Sequence, residues 1–281
     1  RVRCALPLAR HLAADGVDVL VVTAAFGDAP TEEERDGYRI VRLPSWSVPK
    51  SKLTMRFDVN FAYSPRNYAR MKAALDDFAP QILHQHGQFF DLTFMSSEYA
   101  HRRRIPTVLS VHTRLEHTSP VHDRALGLAD RTLVRWFVGR SHPDVVVMDR
   151  PMHDYIVARY RIPESRLAPI PVGVEPTRFD RDGTALRARL GLGDRPVVLS
   201  LGHVIPVRNR LALVEAMPAL IERCPDVAVV VVGIVYDERF QERARELGVS
   251  DHLLCTDGVP KDEVPDFLAI ATVEAKDLQG Y

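Results

Sequence analysis

The sequence contains little that would staple, span or clasp. Three cysteines, Cys4, Cys224 and Cys255, are scattered through 281 residues with no CxxC pair. That excludes a disulfide framework and offers no zinc-finger spacing. The longest apolar run, Val227 to Val235, falls far short of the roughly 20 residues a membrane span needs. Formal net charge is zero, 37 basic against 37 acidic residues, so no bulk electrostatic attraction to nucleic acid is expected. No secretory signal opens the chain, and a reducing cytoplasm is the expected setting. Catalytic fingerprints are also scarce: there is no GxSxG elbow, GxxxxGK(S/T) phosphate loop, GxGxxG dinucleotide turn or HExxH pair. Arg1 already lies in a helical pattern and Tyr281 directly follows Gln279-Gly280, so both ends read as cut.

What is present is alternation. Short β-branched runs at 17–23, 38–44, 81–87, 106–113, 143–149, 196–202, 226–233, 252–258 and 272–276 read as strands. Several are apolar at consecutive positions, as strands covered on both faces require. Helical patterns lie between them. Ser64-Pro65 reads as an N-cap with proline in the first turn; Leu211, Val214, Met217, Ala219 and Leu220 read as one apolar helix face. Gly248 reads as a C-cap. Strand–helix alternation predicts an α/β fold with parallel sheets. A Gly-, Pro- and charge-rich stretch at 172–195 predicts a boundary, placed between 1–178 and 179–281, and a ligand cleft between two domains.

Two strand ends carry candidate chemistry. In the first domain His84, His86, His112, His117 and His122 gather within a short span. A metal site built from them finds no supporting spacing. A single orienting or catalytic imidazole is the alternative, and His112, at the carboxyl end of its strand, has the better position. In the second domain Val197 to Met217 reads as a buried strand, Gly202, an irregular loop and then a helix starting near Asn209. A helix N-terminus at a strand end offers free N–H groups and a positive dipole end. His203, Arg208 and Arg210 crowd that end, where an anion such as a phosphate would compensate them; a plain strand–helix connection is the other reading.

Six motifs in order then resemble the GT-B glycosyltransferases of family 4. "RVRCALPLARHLAADGVDVLVVT" resembles that family's first helix and second strand. "PQILHQHG" is similar to "PDVVHAHG", and "IPTVLSVHT" to "PxVxTxHD". "PESRLAPIPVGVEPTRF" is similar to "xxxKIxVIPNGVDxxxF", and "VVLSLGHVIPVRNRLALVEAM" to "xxLFVGRLxPEKGxxxLIxA". "DGVPKDEVPDFLAIATVEAKDLQGY" is similar to "xGxVPxEELPxLYxxADVxVxPSxxEGFG". The resemblance implies two Rossmann-like domains and metal-independent transfer of sugar from a nucleotide-diphosphate sugar, a co-substrate with no further cofactor. It implies retention at the anomeric carbon by front-face displacement, to an unidentified glycan, lipid or small-molecule acceptor.

By the same resemblance, His112 takes the place of the histidine near donor sugar and acceptor. Gly202, His203 and Arg208 fall on the diphosphate grip, and Val259 lies in the turn whose backbone approaches the nucleobase. Gln279, Gly280 and Tyr281 fall on the donor-sugar motif. Three positions depart from the pattern: His203 stands for arginine, Gln279 for glutamate and Val172 for asparagine. A non-catalytic sugar-nucleotide-binding protein and a nucleotide-sugar epimerase are therefore the competing readings. The resemblance also implies peripheral membrane contact at the inner face, for which Arg56, Arg66 and Arg70 are candidates, solvated charge being the alternative.

Overall fold

The computed structural model describes residues 5–48, 59–115, 119–173, 179–205 and 208–276. Contacts divide the chain into Arg1–Val172 and Gly173–Tyr281. The first unit runs α1 (Ala5–Ala14), β1 (Leu20–Ala24), β2 (Glu32–Arg35), β3 (Tyr38–Leu43), β4 (Trp46–Val48), β5 (Val59–Phe61), α2 (Pro65–Phe78) and β6 (Leu83–His86). It continues through α3 (Asp91–Arg103), β7 (Thr107–Ser110), α4 (Pro120–Ala129), a π turn at Asp130–Val134, α5 (Arg135–Arg140), β8 (Asp144–Val147), α6 (Arg150–Tyr160) and β9 (Leu167–Pro169). The second unit runs α7 (Thr184–Arg189), β10 (Val197–Leu201), α8 (Arg210–Arg223), β11 (Ala228–Val232), α9 (Arg239–Glu246), β12 (Leu253–Cys255), α10 (Val264–Ile270) and β13 (Val273–Glu274).

In the second unit all strands of the sheet β12-β11-β10-β13 are parallel. Every residue of β11 is buried, because helices cover both faces and a continuous Ala-Val run suits both. Burial of each valine stabilises by about 1.5–3 kcal/mol. Two apolar clusters flank this sheet, one centred on Val214, Met217, Val229 and Phe240, the other on Leu192, Leu199, Val230 and Phe267.

In the first unit β6-β7-β8-β9 form a parallel sheet, and β1-β3-β2 form a separate one. Leu83 of the first and Leu20, Val22 and Leu43 of the second meet in one core cluster with Met71 and Tyr99. Two expectations need correction here. Parallel pairing is not universal: β2 runs antiparallel to β3, and β4 and β5 pair as an antiparallel ribbon. The buried face of α8 is Arg210, Val214 and Met217, flanked by Leu213, Leu220 and Ile221. Ala219 is exposed, since it lies roughly 200° around the helix from Met217.

The expected helix boundaries have physical causes in the structure. Ser64 Oγ accepts from Asn67 N–H at 3.1 Å, and Pro65 follows in the first turn, where its missing N–H costs nothing. Asn209 caps α8 from a left-handed conformation, its side chain accepting from Ala212 N–H. Gly248 follows α9 at φ +69.

Candidate active site

The carboxyl ends of β10, β11 and β12 are joined into one ledge. Gly202 N–H donates to Val232 O at 2.7 Å, and Gly233 N–H to Asp257 O at 2.8 Å. Val204 bridges Val235 in parallel. The glycines are required by proximity: a Cβ on Gly233, at φ +147, would lie 2.3 Å from Gly202 O. Gly202 itself sits at φ +116, and a Cβ there would lie 1.6 Å from Arg208 Nη1. The Arg208 guanidinium therefore approaches the strand end through Nη1, which donates to Leu201 O at 3.3 Å. It stays exposed, one residue before the α8 cap, so cationic charge and the positive helix end sit at one place. His203 is also exposed, its ring edge-on to Tyr236 at 5.8 Å between centroids.

Arg210 departs from its expected place. It is only 4% exposed and turns inward, donating Nη2 to the same Leu201 carbonyl at 3.2 Å. It braces the strand end and does not face solvent. A cavity of about 160 Å³ lies behind it, lined by Val204, Asn209, Arg210, Asp237, Arg239 and Phe240 among others. Ligand pockets typically run to roughly 300–1,000 Å³, so this space is too small for a nucleotide sugar. The open ledge is the better candidate. Val259 contributes its side chain to the apolar core of this unit, as a turn whose backbone alone contacts a ligand allows. Gln279, Gly280 and Tyr281 lie outside the described residues.

In the first unit the candidate imidazole is built into a histidine stack. His84 and His86, two apart on β6, share a face, and their rings stack at 4.4 Å. His86 Nδ1 meets His112 Nε2 at 3.1 Å, so one ring must donate while the other accepts. His84 Nε2 meets Ser110 Oγ at 2.8 Å. Burial, then the neighbouring His84 and His112, pushes His86 down to about 4. Burial also lowers His84 and His112. The stack is accordingly neutral near pH 7, suited to hydrogen bonding to a hydroxyl. Among the described residues no group of three or more His, Cys, Asp or Glu side chains is arranged to hold a metal ion. His117 lies outside them.

Two supports for the His112 loop were not anticipated from the sequence. Gln88 is fully buried and donates to Thr113 O at 2.6 Å. Tyr155 accepts from Leu115 N–H at 3.2 Å and donates to Asp130 Oδ2 at 2.5 Å, while Tyr160 donates to Asp130 Oδ1. Asp130 is completely buried in the π turn, and such turns concentrate at functional sites.

With that geometry in hand, comparison with known proteins is decisive for ancestry. Residues 2–178 match Glycosyltransferase Family 4. The chain belongs to that family. Residues 182–275 further match Glycosyl transferases group 1. Over 117 residues, 40% of this chain, it is 41% identical to the GDP-mannose-dependent α-(1-6)-phosphatidylinositol monomannoside mannosyltransferase of Mycolicibacterium smegmatis. Over 95% of this chain it is 28% identical to the D-inositol 3-phosphate glycosyltransferase of Acidothermus cellulolyticus. The matched parts span 31% and 62% of those relatives' lengths. Among solved structures, HepE from Anabaena in complex with UDP and glucose superimposes at TM-score 0.68 with 16% identity, covering 98% of this chain and 69% of that one. A sucrose-phosphate synthase from Thermosynechococcus elongatus matches at TM-score 0.68 and 17% identity, covering 98% and 70%. These likenesses make the fold GT-B, with two Rossmann-like domains.

Proposed function

We propose that this protein transfers a sugar from a nucleotide-diphosphate sugar to a hydroxyl acceptor, with retention of configuration. The observation that carries the reading is the Gly202–Arg208 contact: a glycine needed by the arginine itself sets an exposed guanidinium beside the N-terminus of α8. Bidentate guanidinium–phosphate contact is the chemistry such an arrangement serves. As the bond from anomeric carbon to phosphate oxygen breaks, negative charge grows on the diphosphate. Arg208, His203 and the helix end take it up without a metal. The acceptor oxygen forms the new bond to the anomeric carbon from the same face, and its proton passes to the departing diphosphate oxygen.

In this reading His112, neutral and held by His86, orients the donor sugar or the acceptor. The backbone at Val259 meets the nucleobase, and Gln279, Gly280 and Tyr281 contact the donor sugar. The two named relatives share an inositol phosphate in their names, as phosphatidylinositol in one and D-inositol 3-phosphate in the other. We therefore assign the acceptor to the inositol-phosphate class, with GDP-mannose first in the donor panel. The test is calorimetric titration of GDP and UDP into wild type and Arg208→Ala, followed by turnover with inositol-phosphate acceptors in the presence of a chelator. Arg208→Ala is expected to weaken diphosphate binding by about 1–3 kcal/mol; unchanged affinity refutes the site.

A further inference from the structure

We infer that His86 presets His112 as a hydrogen-bond donor through Nδ1, so that His112 grips a substrate oxygen and is not the base of the reaction. The tautomer follows from this chain's own contacts; what the donor grips rests on the transferase reading. The three imidazoles form a row whose order is fixed by contact. His84 stacks on His86 at 4.4 Å between ring centroids, and His86 lies 5.3 Å from His112 with the two rings 14° from parallel. His86 is thus the middle ring and His112 the end of the row. The frame around them is tied on every side. Gly87 N–H donates to Ser110 O at 2.8 Å and Val111 N–H to Val146 O at 3.1 Å, Gln88 holds Thr113 O, and His84 Nε2 is anchored on Ser110 Oγ.

One proton lies between His86 Nδ1 and His112 Nε2, 3.1 Å apart, and two neutral arrangements are open to the pair. In the first, His112 donates from Nε2, and His86 must carry its own proton on Nε2, inside the row. Among the described residues no acceptor is hydrogen-bonded to that nitrogen. An enclosed N–H without a partner is rarer and costlier than a bare lone pair. In the second, His86 donates from Nδ1 and keeps only a lone pair on Nε2. The remaining proton then sits on Nδ1 of His112, on the ring just past the carboxyl end of β7, where ligands of parallel sheets bind. That nitrogen has no protein partner among the described residues. The second arrangement leaves the open donor where a substrate can meet it, and is the one we assign.

A carboxylate behind a histidine does the opposite. It accepts the inner N–H and leaves the outer nitrogen bare, ready to take a proton. Among the described residues no carboxylate pairs with His84, His86 or His112. With a donating imidazole as the inner partner, the polarity of the outer nitrogen is reversed. His112 donates to an oxygen of the donor sugar or of the acceptor and holds its proton throughout. The proton of the acceptor hydroxyl passes to the departing diphosphate oxygen, so the step balances without a base in this row. His86 acts through His112 and is a positioning residue.

The test has two readouts on the whole chain. The first is the NMR shift of the ring nitrogens in histidine-labelled protein near neutral pH, the His112 signals being those lost in His112→Asn. Wild type should carry a proton on His112 Nδ1 and none on Nε2, the reverse of the tautomer that free histidine favours, and His86→Leu should restore the free-histidine tautomer. A proton on His112 Nε2 in wild type, or a tautomer unchanged by His86→Leu, overturns the proposal. This readout needs no turnover, so a chain that transfers no sugar fails the transferase reading alone. The second readout is transfer from GDP-mannose to an inositol-phosphate acceptor. In His112→Asn an amide nitrogen takes the place of Nδ1 and still donates, so kcat should stay within about tenfold of wild type. Loss of a general base costs about 10²–10⁴ instead, and a His112→Asn as slow as His112→Ala overturns the donor role. His86→Leu should lower kcat about three- to tenfold with KM for the nucleotide sugar unchanged. His86→Asn, which keeps a donor at the position of Nδ1, should recover most of that loss; equal kcat in the two variants overturns the positioning role.

Discussion

Gly202→Ala is the sharpest single test of the ledge, because its effect should be lost when a second residue is removed. Two penalties arise in the single variant. Alanine must adopt φ near +116, a region costing about 1–3 kcal/mol for a residue with a Cβ. The new methyl also falls 1.6 Å from Arg208 Nη1, so the guanidinium must leave. Leaving breaks its bond to Leu201 O, worth about 0.5–1.5 kcal/mol. It also removes a charged contact to a bound diphosphate, worth about 1.5–3 kcal/mol, or roughly 10- to 150-fold in affinity. Arg208→Ala removes the same contact without backbone strain. In the double variant the collision has no partner, so GDP or UDP affinity should match Arg208→Ala alone, with only the φ cost remaining in urea unfolding. A calorimetric cycle on the four proteins reads this directly. Additive losses in affinity, or full-strength binding by Gly202→Ala, would refute the argument that the glycine exists to admit Arg208.

The remaining predictions concern the first unit. His112→Ala should leave nucleotide affinity intact and depress turnover; an undiminished rate removes it from the reaction. His86 titrates at about 4 in the fold against 6.5 for the free side chain, so between those values the unfolded chain holds the extra proton. Stability should therefore fall as pH drops from 6.5 toward 4, by about 1–3 kcal/mol for this ring after allowing for its partial exposure. His86→Asn should flatten that slope in urea titrations, with the part due to His84 and His112 remaining. Tyr155→Phe deprives Leu115 N–H of its acceptor and Asp130 of one donor, and should cost about 1–3 kcal/mol in thermal unfolding; no loss would mean that water replaces the hydroxyl.

The main strands were readable because a parallel strand buried on both faces writes itself as an uninterrupted apolar run, as Val197–Leu201 and Ala228–Val232 do. β2 was not readable from hydrophobicity, since Glu32–Arg35 is an edge strand with no apolar residue. Its signal was the turn: Asp36 and Gly37 both have positive φ, and Asp-Gly is the dipeptide that closes a tight hairpin. Arg208 was placed correctly at a strand end, but the inward turn of Arg210 depends on a carbonyl nine residues earlier. Nothing in local pattern reports such a partner. The π turn was equally hidden, because the five residues Asp130–Val134 look like helix until Tyr155 and Tyr160 claim the carboxylate between them.

The absence of a side chain at Gly233 has a mechanical consequence. With the next loop's carbonyl where a methyl would be, the loops after β10 and β11 have no slack between them, and Asp257 O fastens the loop after β12 to the same point. None of these loops can shift alone. A ligand that pulls on Arg208 therefore pulls on the whole rim, and the segments ending β10 and β11 transmit that load into the most deeply buried strands of the unit. The rim acts as a single stiff plate, so contacts made at its separate loops share one rigid frame of reference.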